Sequence, residues 1–331
     1  MDGLSRFHLA HLPTPLEWMT RLSEALDGPE LWIKRDDQTG LATGGNKTRK
    51  LELLIVDALD RNAGVVLTVG AAQSNHCRQT AAAAARAGLD CVLVLRGEMP
   101  PRDLWNGNLL LDDLLGARTW WAGEEDPLVA LEAAAEAERA AGRTPYIIPY
   151  GGSNAVGASA YALAFEELWH QTEEALHGER LVFDRVVFAS SSGGTQAGLV
   201  VGAKACGYQG QVLGISVDKT GGHLRETVVS LLAPTAAFLN LDMTFTPEEV
   251  LVEDGYLGGG YGVLVPAERA AIRMVAKLEG ILLDPVYTAK AMAGLLDLVA
   301  RGKIGSDERI LFWHTGGTPA LFAYASDLLQ G

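Results

Sequence analysis

The stretch Thr43-Gly44-Gly45-Asn46-Lys47-Thr48-Arg49-Lys50 decides how this chain is read. From Lys47 onward Leu51, Leu54, Ile55, Ala58 and Leu59 recur at helical spacing, so a helix begins here. Its first turn holds the cations Lys47, Arg49 and Lys50, although that end of a helix carries partial positive charge and favours anions. A lysine held there and partly desolvated has a lowered pKa, which leaves free amine to attack a carbonyl. Taken alone, the stretch reads more readily as a glycine-containing loop opening a solvated basic helix. The rest of the chain has to decide between them.

Upstream, Pro13 and Pro15 mark an extended entry to a short helical patch at about residues 16–26. Residues 31–35 (LWIKR) read as a strand and 36–40 (DDQTG) as its exit loop. Downstream, apolar runs alternate with helical patterns. Strands are predicted at 64–69, 91–95, 118–121 and 146–148, with helices at 76–87 and about 127–141. After GGSN at 151–154 the rhythm repeats with longer helices. A helix at about 156–175, a strand at 185–189, a helix to about 205 and strands at 211–217 and 309–313 complete it. Such alternation implies right-handed βαβ units and parallel sheets covered on both faces. The expected fold is α/β, with two open, mostly parallel twisted sheets flanked by helices and the active site in the cleft between them. Ligands of such sheets bind at the carboxyl ends of the strands, so the loops there carry the functional reading.

Composition sets limits. The 331 residues are 48% hydrophobic and 21% charged, ordinary for a soluble globular enzyme and long enough for two domains. A formal net charge of −14 argues against a nucleic-acid or anionic-membrane binder. Cys77, Cys91 and Cys206 form no CxxC and fit a reducing compartment, so a cytoplasmic protein is expected. No secretory leader and no apolar run of membrane-spanning length is apparent. The histidines lack metal-ligand spacing, and no metal is expected.

Three strand-end loops point to chemistry. Residues 190–198 (SSSGGTQAG) put glycines and the unpaired N–H groups of a helix start where a phosphate could rest. The loop lacks the lysine of a nucleotide-binding GxxxxGK[ST], so one phosphate fits better than a pyrophosphate. Gln73-Ser74-Asn75-His76 opens another helix, where Ser74 or Asn75 could simply be the N-cap. Its functional reading is a second anion site, suited to a substrate carboxylate, with His76 as an acid or base near neutral pH. Tyr261 and Tyr287 stand beside chain breakers, and Thr315 offers a neutral hydroxyl after the last strand. A reactive lysine, a monophosphate cradle, a carboxylate cradle and phenol acids together fit pyridoxal 5′-phosphate (PLP).

Further segments carry a resemblance. LPTPLE at 12–17, IKRDD at 33–37, GGNKTRKLE at 44–52 and QSNH-x-RQTAA at 73–82 belong to the set. GGSN at 151–154, GTQAGL at 194–199, LEGILLDPVYT at 278–288 and HTGG at 314–317 complete it. Over nearly its whole length the chain resembles the D-cysteine desulfhydrase and 1-aminocyclopropane-1-carboxylate deaminase family, within the tryptophan-synthase-β-like (fold type II) PLP enzymes. The resemblance implies Lys47 as the Schiff-base lysine and Asn75 as partner of the cofactor's 3′-oxygen. It implies that N–H groups around Gly193, Gly194, Thr195 and Gln196 hold the phosphate and that Thr315 faces the pyridine nitrogen. Ser74, Asn75 and His76 would receive the substrate carboxylate, with Tyr261 and Tyr287 on the reacting side. On this reading residues 1–55 and 156–331 form a larger PLP-binding domain, 56–155 a smaller α/β domain, and the protein is a homodimer.

Two positions separate the branches of the family. The deaminase branch carries glutamate where this chain has Thr288 and glutamine where it has His76. A neutral hydroxyl beside the ring nitrogen suits simple β-elimination better than ring opening. The expected activity is therefore a carbon–sulfur lyase acting on a small amino acid, D-cysteine first, releasing pyruvate, sulfide and ammonia. L-cysteate sulfo-lyase, the cyclopropane deaminase and a non-catalytic PLP-binding protein stay open as alternatives.

Overall fold

A computed structural model describes residues 3–174 and 180–330. The chain opens with β1 (Leu16–Trp18), α1 (Thr20–Leu26), β2 (Glu30–Arg35) and α2 (Lys47–Asp60). There follow β3 (Val65–Gly70), α3 (Asn75–Ala87), β4 (Asp90–Leu95), α4 (Gly107–Leu114), β5 (Arg118–Trp121), α5 (Pro127–Ala140) and β6 (Pro145–Ile147). The second half runs α6 (Ala155–Glu174), β7 (Arg185–Ser190), α7 (Gly194–Ala205), β8 (Gln211–Ser216) and α8 (Gly221–Phe238). It ends with β9 (Leu251–Glu253), α9 (Pro266–Glu279), α10 (Thr288–Ala300), β10 (Arg309–His314), α11 (Ala320–Ala323) and α12 (Ala325–Leu329).

Among the described residues the strands form two sheets, as expected. The six-stranded sheet has the order β1-β2-β10-β7-β8-β9 and is parallel except where β1 meets β2. The four-stranded sheet, β5-β4-β3-β6, is parallel throughout and is drawn wholly from residues 65–147.

Both sheets bury both faces, and the two-residue period of a strand explains how. In β7 and β10, Val186, Phe188, Leu311 and Trp313 join a core with Tyr161 and Phe165 of α6 and Leu199 of α7. Their neighbours Val187, Ile310 and Phe312 face Met292 and Leu295 of α10 on the other side. In β4, Cys91, Leu93 and Leu95 pack with Ala81 and Ala84 of α3, whereas Val92 and Val94 meet Ala130 and Ala134 of α5. Near-continuous apolar strands are what such double coverage requires.

One expectation changes, one runs past the described residues, and one stretch had carried no helix expectation. The helical patch at 16–26 is really β1 followed by α1; a three-residue strand is too short to display alternation, and Trp18 stacks on Trp32 of β2 at 6.3 Å between centroids. The helix predicted over 156–175 is α6, and its predicted last residue lies outside the described residues. The long stretch between β8 and β10 holds α8, α9 and α10, for which no helix had been predicted. Pro234 inside α8 and the glycines at its start weaken the local signal there.

The cations of the first turn of α2 are not solvated. Arg49 donates to both oxygens of Asp36, at 2.8 and 3.0 Å, and to both oxygens of Glu167 on α6, each at 2.9 Å. Tyr161, Trp313 and Thr14 also donate to Asp36, and Lys34 donates to Glu167. This buried cluster ties the start of α2 to β10 and α6, so the lysine at its head is held from beneath.

Candidate active site

A single cavity at the carboxyl ends of the strands receives Lys47 from α2 and Ser74, Asn75 and His76 from the start of α3. Gly193 and Thr195 enter from the start of α7, Tyr287 from the turn before α10 and Thr315 from the loop after β10. Gly194, Gln196 and Tyr261 do not line it. Gly194 donates its N–H to Ser153 Oγ at 3.2 Å. Gln196 turns its side chain away to the Leu251 carbonyl at 2.7 Å, so only its backbone N–H stays at the helix start. Tyr261 reaches the cavity indirectly, through a 2.8 Å hydrogen bond between its hydroxyl and that of Tyr287.

The loop before Lys47 is tightly bent. Ala42, Thr43, Gly44 and Gly45 all have positive φ, at 43°, 71°, 73° and 129°. A Cβ on Gly44 would stand 2.0 Å from the Asp37 carbonyl oxygen, so only glycine fits there. Gln79 of α3 caps α2 by accepting from the Thr48 N–H at 2.7 Å. Asn46 is thereby freed for the site: its Oδ1 accepts from Lys47 Nζ at 3.1 Å and its Nδ2 donates to Thr195 Oγ1 at 3.2 Å. Burial lowers the Lys47 amine to about 8, with the Arg78 charge adding to the effect against the opposing pull of Asp284. A free-amine fraction near neutral pH follows, as a carbonyl-capturing lysine requires.

Arg78, fully buried, organises the opposite wall. It donates to Asn75 Oδ1 at 3.0 Å, to Asn108 Oδ1 at 2.5 Å and to the Gly44 carbonyl at 2.8 Å. Asn108 Nδ2 also donates to Asn75 Oδ1, at 2.9 Å. With its oxygen doubly occupied, Asn75 presents Nδ2 as a donor. Ser74 is the N-cap of α3, its Oγ accepting from Cys77 N–H at 3.2 Å.

His76 departs from the expectation of an acid or base near neutral pH. Burial, reinforced by the charges of Lys47 and Lys50, holds its pKa well below the usual histidine value. Thr68 Oγ1 donates to the Ile148 carbonyl, so it accepts from His76 Nε2–H at 2.8 Å. The ring is therefore neutral at physiological pH, with Nδ1 bare, buried and without a partner.

The strand-to-helix loop of α7 is built as a cradle. Gly193 has φ +82°, and a Cβ there would stand 3.0 Å from Thr227 Cγ2. Ser153 Oγ meets Ser192 Oγ at 2.8 Å and Lys50 Nζ at 3.4 Å, which sets a buried amine, lowered well below the usual lysine value by burial and by the Lys47 charge, close behind the helix start. The first-turn N–H groups of Thr195 and Gln196, with the Lys50 amine behind them, suit one phosphate. Thr288 does not line the cavity. Its hydroxyl donates to Asp284 Oδ1 at 2.8 Å, and Asp284 in turn accepts from the N–H groups of Val286, Tyr287 and Thr288.

Asn46, Arg78, Tyr150 and Lys50 were not singled out as site residues from sequence. All four had a usable signal, since Asn46, Lys50 and Arg78 lie inside the quoted segments 44–52 and 73–82 and Tyr150 adjoins GGSN.

Residues 8–316 match the pyridoxal-phosphate dependent enzyme family, nearly the whole chain. The chain belongs to that family. PLP is the cofactor of these enzymes, and the free lysine amine, the monophosphate cradle and the Asn75 amide fit it. A D-cysteine desulfhydrase of Klebsiella pneumoniae is 45% identical over 331 residues, covering 98% of each chain. One from Salmonella newport is 44% identical over 323 residues, covering 96% of each. The crystal structure of an ACC deaminase homologue superimposes with a TM-score of 0.87 at 39% identity, covering 98% of this PLP enzyme and 96% of that chain. A processed threonine deaminase isoform from Solanum lycopersicum, 18% identical, shares the fold with a TM-score of 0.63, over 97% of this chain and 84% of its own.

Proposed function

We propose that this PLP enzyme is a carbon–sulfur lyase that eliminates sulfide from D-cysteine, leaving pyruvate and ammonia. The observation that carries the reading is the meeting, in one cavity, of a lysine amine lowered to about 8 with a phenol at hydrogen-bond distance from a second phenol. Desulfhydrase relatives at 44–45% identity over nearly the full length support the substrate. PLP, when bound, supplies an aldehyde for amines and a ring that accepts the electrons left when the Cα proton departs.

The chain's own residues do the rest. N–H groups around Gly193, Gly194, Thr195 and Gln196 would hold the phosphate, that of Gly194 on leaving Ser153 Oγ, while Asn75 Nδ2 would donate to the ring's 3′-oxygen and Thr315 would face the ring nitrogen. Ser74, Asn75 and the backbone N–H of His76 would receive the substrate carboxylate, because the His76 ring spends its one proton on Thr68. Lys47 takes the Cα proton, and Tyr287, backed by Tyr261, protonates the departing sulfur. Burial holds the Tyr287 hydroxyl well above the usual tyrosine value, and the neighbouring phenols add to this, so it is a proton donor at every working pH.

Residues 1–55 with 156–331, and 56–155, are the proposed domains. Supporting this, every strand of the smaller sheet falls in the second segment, although position 55 lies inside α2. A cytoplasmic setting is supported by three unpaired cysteines. A homodimer is supported by exposed Leu110 and Leu114, one turn apart on α4, and by exposed Phe322 on the adjoining α11.

The test is release of pyruvate with sulfide or sulfite from D-cysteine, L-cysteine, L-cysteate and the cyclopropane amino acid. Equal pyruvate and sulfide from D-cysteine are expected. Turnover confined to L-cysteate or to the cyclopropane acid would overturn the reading.

A further inference from the structure

The cavity around Lys47 does not end at its tyrosines. Tyr150 lines it and also lines a second chamber of about 440 Å³, and Tyr261, bonded to Tyr287, faces that chamber too. The chamber lies where strand ends of both sheets meet. Gly70 ends β3 and Ala71 follows it, Arg96 follows β4, Pro127 and Leu128 open α5 after β5, and Lys219 follows β8. Carboxyl-end crevices are where open α/β sheets take ligands.

Sulfide is one heavy atom and uses none of this space. What distinguishes the chamber is its charge. Asp126 caps α5 by accepting from the Leu128 N–H at 2.8 Å. Asp218 is engaged by Ser191 Oγ and by Lys219 Nζ, each at 3.0 Å. Arg96 is exposed and has no ion-pair partner among the described residues. Val69, Pro127 and Leu128 supply apolar wall beside it. Two carboxylates and two cations line the chamber, but a helix N–H holds Asp126 while Ser191 and Lys219 hold Asp218. That leaves apolar wall beside a guanidinium with no ion-pair partner among the described residues, a complement to an arm with an anionic tip.

We propose that this outer chamber is a subsite for β-thio-substituted alanines whose sulfur carries a short apolar arm ending in a carboxylate or sulfonate, with Arg96 binding the anionic end. The proposal rests on the β-eliminating reading of the site. In the reaction the Cα–H and Cβ–S bonds break and a carbon–carbon double bond forms. The thiolate leaves with its anionic arm and takes a proton, and water hydrolyses 2-aminoacrylate to pyruvate and ammonia. No oxidant or reductant is needed.

The test uses the PLP-loaded enzyme with S-carboxymethyl-cysteine and its neutral counterpart S-ethyl-cysteine, as D- and L-isomers, and D-cysteine alongside. Wild-type enzyme should favour the carboxymethyl compound over the ethyl compound in kcat/KM, and Arg96→Gln should lower that ratio about tenfold, with Arg96→Lys in between. Calorimetric binding of the carboxymethyl compound should weaken in the same order. Equal kcat/KM for the two thioethers in wild type, or a ratio and affinity unmoved by Arg96→Gln, would overturn the subsite. D-cysteine turnover reads out separately. An enzyme silent on D-cysteine but showing the Arg96-dependent ratio keeps the subsite and loses the desulfhydrase, whereas turnover of D-cysteine without the ratio does the reverse.

Discussion

The Arg78 guanidinium donates to Asn75 Oδ1 at 3.0 Å while its other terminal nitrogen donates to the Gly44 carbonyl at 2.8 Å. One fully buried side chain thus fixes the amide offered to the cofactor and the loop that delivers Lys47. Arg78→Met would leave the Gly44 carbonyl without that donor and release Asn75. A loss of about 2–4 kcal/mol in stability is expected from urea unfolding. Arg78→Lys keeps the charge but not the planar fork, so cofactor affinity should fall even where folding survives. Titration of the apoprotein with PLP measures that directly.

Acid stability should depend on the cluster beneath α2. Burial works against the Asp36 and Glu167 carboxylates, yet Arg49, helped by Lys34, holds each below its ordinary value of 3.8 or 4.5. Depressed carboxyls contribute fully above those values, and the contribution is lost as pH falls through the folded-state pKa. Wild-type stability should therefore drop steeply below about pH 4. Asp36→Asn removes the charge that answers Arg49 and should cost about 3–5 kcal/mol at pH 7, with a shallower acid limb. Urea midpoints from pH 3 to pH 7 would check both.

The paired phenols predict a dependence on the leaving group. If Tyr287 protonates departing sulfur, Tyr287→Phe should lower kcat for D-cysteine by about 10²–10⁴-fold. Chloride needs no proton, so β-chloroalanine should be spared most of that loss. Tyr261→Phe, which removes only the 2.8 Å partner, should produce a smaller effect with the same pattern. Equal losses on both substrates would assign the tyrosines to packing instead.

What could be read from sequence was local. A glycine pair, a lysine and an apolar period of 3.6 occupy one continuous stretch, and so do the strand-to-helix loops at Ser74 and Gly193. Each declares its place at a strand end by its neighbours alone. Arg78 stands inside the quoted QSNH-x-RQTAA segment but does not declare its role, because its partners Gly44 and Asn108 lie 34 and 30 residues away. His76 misled for the same reason. Its titration depends on burial beside Lys47 and Lys50, a tertiary fact that no spacing records. Leu16–Trp18 became a strand only by pairing with β2.

Lys47 gives the remaining prediction, in the apoprotein. Its amine titrates at about 8 in the folded chain against an ordinary 10.5, so below pH 8 the folded state bears a penalty that the unfolded chain does not. For a lysine whose folded pKa is lowered, the unfolded state binds more protons between the two values, and stability rises with pH across that window. The full difference is about 3 kcal/mol. Lys47→Met places a neutral side chain of similar reach at the head of α2 and removes the titration. The variant should exceed wild type in stability at pH 7, and the gap should shrink to under about 1 kcal/mol by pH 10. The tyrosines titrate in both proteins and cancel in the comparison, whereas Lys50, lowered by burial and further by the Lys47 charge, is relieved in the variant and widens the gap in the same direction. Paired urea unfolding of the two apoproteins at pH 7, 8.5 and 10 measures the gap, and a gap that stays constant across the series would contradict a lysine poised for carbonyl capture.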